Sequence, residues 1–184
     1  MKLVAFSSSL SQGSNSLKAL KIAVEAARQA GAEVELFNLR EQPLPIYDPE
    51  DEGQKANDEN VAHFIKIMTE ADGFLLASPE YHNGPSGAFK NALDFISSTQ
   101  FKDKPVGLIA AAGGAIATNT LNQMITILRS LHAHVVPQVG SVGFMDAFDE
   151  AGNLTNAKAQ ERFEKIGIDT AKMARLLREM ASVQ

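Results

Sequence analysis

The chain has 184 residues, 45% of them hydrophobic and 21% charged, with a formal net charge of −5 at pH 7. That suits one α/β domain with a full core and is short for two; the mildly acidic balance argues against nucleic acid as a partner, since phosphate backbones need a basic face. No apolar run approaches the ~18 residues of a membrane span, and an apparent strand begins at Lys2, leaving no room for a signal peptide, so a cytoplasmic protein is expected.

Strand-like and helix-like segments alternate along the chain. Lys2–Ser7 reads as a first strand, followed by a helix with Leu17, Leu20, Val24 and Ala27 on one face and Gly31 as its C-cap. Residues 33–39 read as a second strand. A loop with Pro43, Pro45 and Pro49 and the acidic run 50–52 reads as a surface excursion. Val61, Phe64, Ile65 and Met68 mark a second helix, 73–78 a third strand, and 86–97 the helix that follows it. Residues 106–111 form a fourth strand, and Leu121, Met124, Ile125, Leu128 and Leu131 stripe a fourth helix. A fifth strand lies within 135–142. Phe163, Ile166, Thr170, Met173, Leu177 and Met180 give a long C-terminal helix. There is no repeat and no low-complexity segment.

The strands sort themselves by burial. Leu3 to Phe6, Phe74 to Ala77 and 106–112 are continuous apolar runs, as expected of strands covered on both faces. The second strand alternates Glu33 and Glu35 with Val34 and Leu36, as an edge strand does. The fifth contains Pro137, which a central strand tolerates poorly. Strands two and five at the edges predict an α/β fold with a doubly wound, five-stranded parallel sheet of order 2-1-3-4-5, in one domain over 1–184. Ligands bind such sheets outside the carboxyl ends of the strands, at the switch point between strands one and three. The two most polar loops, 7–16 and 78–84, follow those two strands.

Cysteine is absent, which excludes disulfides, thiol redox chemistry, a Cys nucleophile and zinc–thiolate sites. Any redox work must be carried by a bound cofactor. The four histidines, His63, His82, His132 and His134, show no metal motif, and His132 and His134 flank a helix-to-strand junction, where a structural role is expected.

The first loop, Ser9, Ser11, Gln12, Ser14, Asn15 and Ser16 included, offers hydroxyl, amide and backbone N–H donors at a helix N-terminus, where the dipole favours an anion. It lacks both the Gly-x-Gly-x-x-Gly and the Walker patterns. A phosphate monoester held by neutral donors suits it, and so does a plain N-capping turn that binds nothing. The second loop carries Pro79, Tyr81, Asn83, Gly84 and Pro85 between a buried strand and a helix, a rigid platform with an aromatic ring. Ala112, Gly113 and Gly114 end the fourth strand, where small residues admit a flat ligand or simply start the next helix.

Residues 78–95, Ser-Pro-Glu-Tyr-His-Asn-Gly-Pro-Ser-Gly-Ala-Phe-Lys-Asn-Ala-Leu-Asp-Phe, resemble the loop that cradles the isoalloxazine ring in the NADPH-dependent FMN reductase family of flavodoxin-like proteins. The likeness extends to strand one with its loop, to 44–48 and to 121–137. It implies noncovalent FMN, with Ser9, Ser14 and Ser16 in the phosphate-binding places. Ser11 stands where many members carry Arg, which removes a charge-assisted bond of ~1.5–3 kcal/mol; Gln12 or Asn15 offsets part of the loss. The resemblance gives Pro79, Glu80, Tyr81 and His82 backbone and stacking contacts to the ring, with His82 at a position often occupied by Asn. Tyr81 either lines the flavin face or packs in the core, Glu80 serves the ligand, the fold or the subunit interface, and His82 either shapes the pocket or donates a proton. Ala112, often Ser in members, leaves any hydrogen bond at the pyrimidine end to the main chain.

The implied activity is hydride transfer from NAD(P)H to FMN and on to a flavin, quinone, azo compound or metal oxyanion, with no catalytic side chain of its own. The alternative is a flavodoxin-like electron carrier without NAD(P)H turnover; a third reading is a cofactor-free interaction domain. The resemblance also implies a homodimer or homotetramer, with loop 43–49 and the acidic tip 50–52 as candidate contacts.

Overall fold

The computed structural model describes residues 1–181 apart from 52, 115 and 144. In chain order the elements are β1 (Lys2–Ser7), α1 (Asn15–Gln29), β2 (Glu33–Asn38), α2 (Gln54–Asn57), α3 (Glu59–Glu70), β3 (Gly73–Tyr81), β4 (Gly84–Pro85), α4 (Gly87–Asp94), α5 (Ser98–Phe101), β5 (Pro105–Ala111), α6 (Thr118–Ser130), β6 (His134–Val135), β7 (Gly140–Val142) and α7 (Ala157–Ala181). The parallel path through the sheet is β2-β1-β3-β5-β6.

β7 also pairs with β5. β6 lies against Pro105 and Val106, and β7 against Ile109 to Ala111, on one edge of the same strand. The expected fifth strand is therefore one line broken in its middle, and Pro137, with no N–H for the ladder, sits in the break. The expected order holds for the parallel core, but among the described residues the sheet has seven strands instead of five. The other addition is β4, which folds back antiparallel on the end of β3.

Side chains alternate across the central strands as a pleated sheet requires. Val4, Phe6, Phe74, Leu76, Val106 and Leu108 face a core closed by α3, α4 and α6. Leu3, Ala5, Leu75, Ala77 and Ile109 face the other, closed by α1 and α7. α7 packs close to both sheet and helix. A Cβ on Gly107 would lie 2.6 Å from Thr170 Oγ1, and one on Gly167 would collide with the Ala23 carbonyl of α1.

Helix ends follow from local chemistry. After α1, Gly31 at φ 88° and Ala32 donate to the Arg28 and Ala27 carbonyls, closing the expected C-cap as a Schellman motif. α6 ends the same way on a histidine: His132 at φ 62° donates to the Arg129 carbonyl and Ala133 to that of Leu128. His132 is a helix stop, which accounts for its place in the sequence. The helix expected over 86–97 stops at Asp94, because Ser97 and Gln100 form a capping box that starts α5. Loop 43–49 is tethered: Asn91 Nδ2 donates to the Pro45 carbonyl at 2.8 Å, Asn91 Oδ1 accepts from the Tyr47 N–H at 2.9 Å, and Tyr47 packs edge-on against Phe95. Of the acidic run, Glu52 lies outside the described residues.

Candidate active site

The site is built over an aromatic cluster. Phe6, the penultimate residue of β1, is fully buried with ring centroids 5.5 Å from Phe64, 6.0 Å from Phe89 and 6.4 Å from Phe37. Truncating such a residue costs ~3–5 kcal/mol, so the strand end that launches the first loop is firmly fixed. Ser7 follows, and its buried Oγ has no partner among the described residues.

The first loop is half buried scaffold and half open tip. Ser8, Ser9, Ser14 and Ser16 are buried, whereas Leu10, Ser11, Gln12, Gly13 and Asn15 are exposed. Ser14 caps α1, its Oγ accepting from the Leu17 N–H at 3.1 Å and lying 3.0 Å from Ser16 Oγ. Ser9 Oγ accepts from the Ser11 N–H at 3.3 Å. The N-capping alternative is thus real for Ser14. It does not use up the loop, since Gln12 and Asn15 present exposed amides and Gly13 faces open space.

Sequence reasoning missed the residues that join the two loops. The Ser8 N–H and Oγ both donate to the Ala77 carbonyl of β3, at 3.0 and 3.1 Å. Ser86, the N-cap of α4, lies 78 positions away, and its Oγ sits 3.0 Å from Ser8 Oγ. Ser78 Oγ accepts from the Ser86 N–H at 2.9 Å. These buried hydroxyls hold the ends of β1 and β3 in one unit, a relation between distant residues with no local signature.

The second loop is a β-hairpin. β3 runs three residues beyond its expected end, and Glu80 and Tyr81 pair with Pro85 and Gly84 of β4. The two residues between them, His82 and Asn83, both have positive φ, 54° and 63°, as the tightest hairpin turns require. α6 clamps the hairpin from the side. Thr120 Oγ1 donates to Glu80 Oε2 at 2.8 Å and Gln123 Nε2 to the Asn83 carbonyl at 2.7 Å, while Asn119 reaches the Asn83 side chain. Glu80 therefore spends its carboxylate on the fold. Pro79 is half-buried and pairs along β5, whereas Tyr81 and His82 project into solvent at the hairpin end.

The third segment follows β5. The Ala112 N–H donates to the Val142 carbonyl at 2.9 Å, which ties it to β7. Among the described residues nothing forces glycine at 113 or 114: a Cβ there meets no described atom within 4 Å and neither has positive φ. The small surface they leave is available to a ligand. Buried hydroxyls at a capped helix N-terminus, an exposed aromatic on a braced hairpin and an open glycine pair fit a planar molecule with an anionic tail. Among the described residues no group of three or more His, Asp or Glu could hold a metal ion, and no helix is long and apolar enough to cross a membrane.

Comparison with known proteins agrees with this geometry. Residues 1–146 match the model of the NADPH-dependent FMN reductase family. Over 107 residues the chain is 41% identical to an NADPH azoreductase from Bacillus sp. (strain OY1-2), a stretch covering 58% of this chain and 59% of that protein. Its fold is similar to that of FerB, a flavoenzyme NAD(P)H:(acceptor) oxidoreductase from Paracoccus denitrificans, with a TM-score of 0.78 at 20% identity over 95% of this chain and 97% of that one. It is also similar to a flavodoxin from the domain Archaea, with a TM-score of 0.67 at 12% identity over 95% and 99% of the two chains. The family match takes in the serine loop, the hairpin and the glycine pair alike, and the chain belongs to the NADPH-dependent FMN reductase family.

Proposed function

We propose that the chain is a single FMN-binding unit over 1–184 and works as an NAD(P)H oxidoreductase that passes electrons to a small-molecule acceptor. The observation that carries this reading is the pair of loops after β1 and β3, bonded through Ser8, Ser78 and Ser86 into one rigid rim. Family membership and an azoreductase among the relatives support it.

Bound FMN would supply the redox chemistry, accepting a hydride from the nicotinamide and returning electrons to the acceptor. The chain's share is binding and orientation. Ser9, Ser11, Gln12, Ser14, Asn15 and Ser16, with the N–H groups that open α1, would hold the phosphate. Pro79, Glu80, Tyr81, His82 and Asn83 would wall the ring, Glu80 by fixing the hairpin to α6 and Tyr81 by its exposed face. Ala112, Gly113 and Gly114 would let main chain approach the ring's other end. Holding donor and ring in contact converts a bimolecular step into an intramolecular one, and this positioning supplies the rate without an acid–base residue.

Azo compounds, quinones, free flavin and metal oxyanions are the proposed acceptors. We extend the reading to a homodimer or homotetramer, because Leu10, Ile46, Ile116 and Met145, each more than half exposed, lie on four different loops that follow strands, and Tyr81, also more than half exposed, ends β3. Apolar side chains left exposed in this way suit a second copy of the chain. Purified protein given FMN, NADPH and an azo dye should bleach the dye. Protein that binds FMN yet leaves NADPH unoxidised with every acceptor class is an electron carrier instead.

A further inference from the structure

An anionic tail held by neutral donors in the first loop gains affinity from a counter-charge, and 8–16 contain no cation. The nearest lysine on α1, Lys18, holds its Nζ over the Phe148 ring, 5.2 Å from the centroid. A guanidinium nonetheless reaches the loop from elsewhere. Arg40, in the turn after β2, donates from Nη1 to the Leu10 carbonyl at 2.6 Å. That oxygen belongs to the peptide joining Leu10 to Ser11.

The fold delivers Arg40 there for definite reasons. β2 pairs with β1 in parallel, Asn38 opposite Ser7, so both strands end side by side. The Leu39 N–H then donates to the Ser7 carbonyl, and the Arg40 N–H to Asn38 Oδ1 at 3.3 Å, which turns the chain toward the loop. Arg40 is exposed and forms no ion pair with a carboxylate among the described residues. One bond to a carbonyl employs one of its five donors. The rest form a planar fork of the shape that grips phosphate in a bidentate manner.

We propose that Arg40 is the charge partner of the FMN phosphate, supplied by the second strand to a loop whose own position 11 is a serine. The proposal rests on the FMN reading above. It also changes what is expected of Ser11: with Arg40 in place, Ser11→Arg alone adds little affinity.

The test titrates the full-length chain, freed of flavin, with FMN and with riboflavin, which lacks the phosphate, by flavin fluorescence. The parent should bind FMN well above riboflavin. Arg40→Gln should weaken FMN ~10- to 100-fold, the range of a charge-assisted bond, and leave riboflavin within twofold. Ser11→Arg added to Arg40→Gln should restore FMN binding to within a few-fold of the parent, since it returns a guanidinium to the same peptide. Equal weakening of both flavins would reduce Arg40 to a brace for the loop and overturn the proposal. So would unchanged FMN affinity, or a variant whose sole change is a higher KM for NADPH over NADH, which assigns the guanidinium to the donor's phosphate. A parent that binds neither flavin overturns the functional reading and this role together.

Discussion

At the scale of single residues, the rim that joins the two loops is built from buried hydroxyls and turn geometry. His82 is the clearest case. Its ring is exposed, its backbone is left-handed at φ 54°, and its position in a two-residue hairpin turn explains its presence without chemistry. Asn adopts that conformation readily, so His82→Asn should keep the hairpin and the rate of flavin reduction by NADPH within a few-fold. Stopped-flow reduction checks this; a hundredfold slower step with unchanged FMN affinity makes His82 a proton donor. Ser86 is the contrasting case. Its Oγ accepts from the Phe89 N–H at 3.2 Å as the cap of α4 and also meets Ser8 in the rim. Ser86→Ala should therefore cost ~1–2 kcal/mol in a urea melt and weaken FMN binding as well. Loss of stability with full FMN affinity would mean that the rim does not depend on this bond.

Between elements, what was legible in the sequence was whatever a local pattern encodes. Continuous apolar runs marked β1, β3 and β5 as central, Glu33 and Glu35 marked β2 as an edge, and Pro137 marked the fifth strand as the other edge, though not its break into β6 and β7. Gly31 announced the end of α1. The β3–β4 hairpin was hidden because His82 and Asn83 take left-handed φ without a glycine at either place. α5 was hidden because four residues carry too little periodicity. In the site, the Ser, Tyr and Gly positions were legible as loop residues, whereas the Ser8–Ser86 and Arg40–Leu10 contacts bridge 78 and 30 positions and leave no local trace. Helix packing yields two predictions of opposite sign. Gly167→Ala forces a methyl onto the Ala23 carbonyl, so it should destabilise by ~1–3 kcal/mol. His132→Gly removes the steric cost of a left-handed side chain at the end of α6 and should stabilise by up to ~1 kcal/mol. Thermal or urea melts measure both, and a neutral Gly167→Ala would show that α1 and α7 can part without loss.

Across the whole molecule, the polar loops follow the carboxyl ends of β1, β3 and β5. Of the seven large apolar side chains exposed among the described residues, Leu10, Ile46, Ile116 and Met145 lie on loops that follow strands, Tyr81 ends β3, and Leu176 and Met180 lie on α7. Polar loops with exposed apolar side chains among them suit a flat cofactor covered by a second subunit or an acceptor. Replacing Ile46 and Met145 with Glu should then shift the protein toward the monomer in sedimentation velocity without lowering its melting temperature by more than a few degrees. A parent that is already monomeric at micromolar concentration would remove the dimer from the account. We propose that the carboxyl end of the sheet binds FMN for reduction by NADPH. Mixing the FMN-loaded protein with NADPH under anaerobic conditions and following the oxidised-flavin band checks this. One FMN should bind per chain, its band should bleach within seconds, and it should return when an azo dye or quinone is added. A chain that takes up no FMN at micromolar concentration, or whose bound flavin stays oxidised in excess NADPH and NADH, would contradict it.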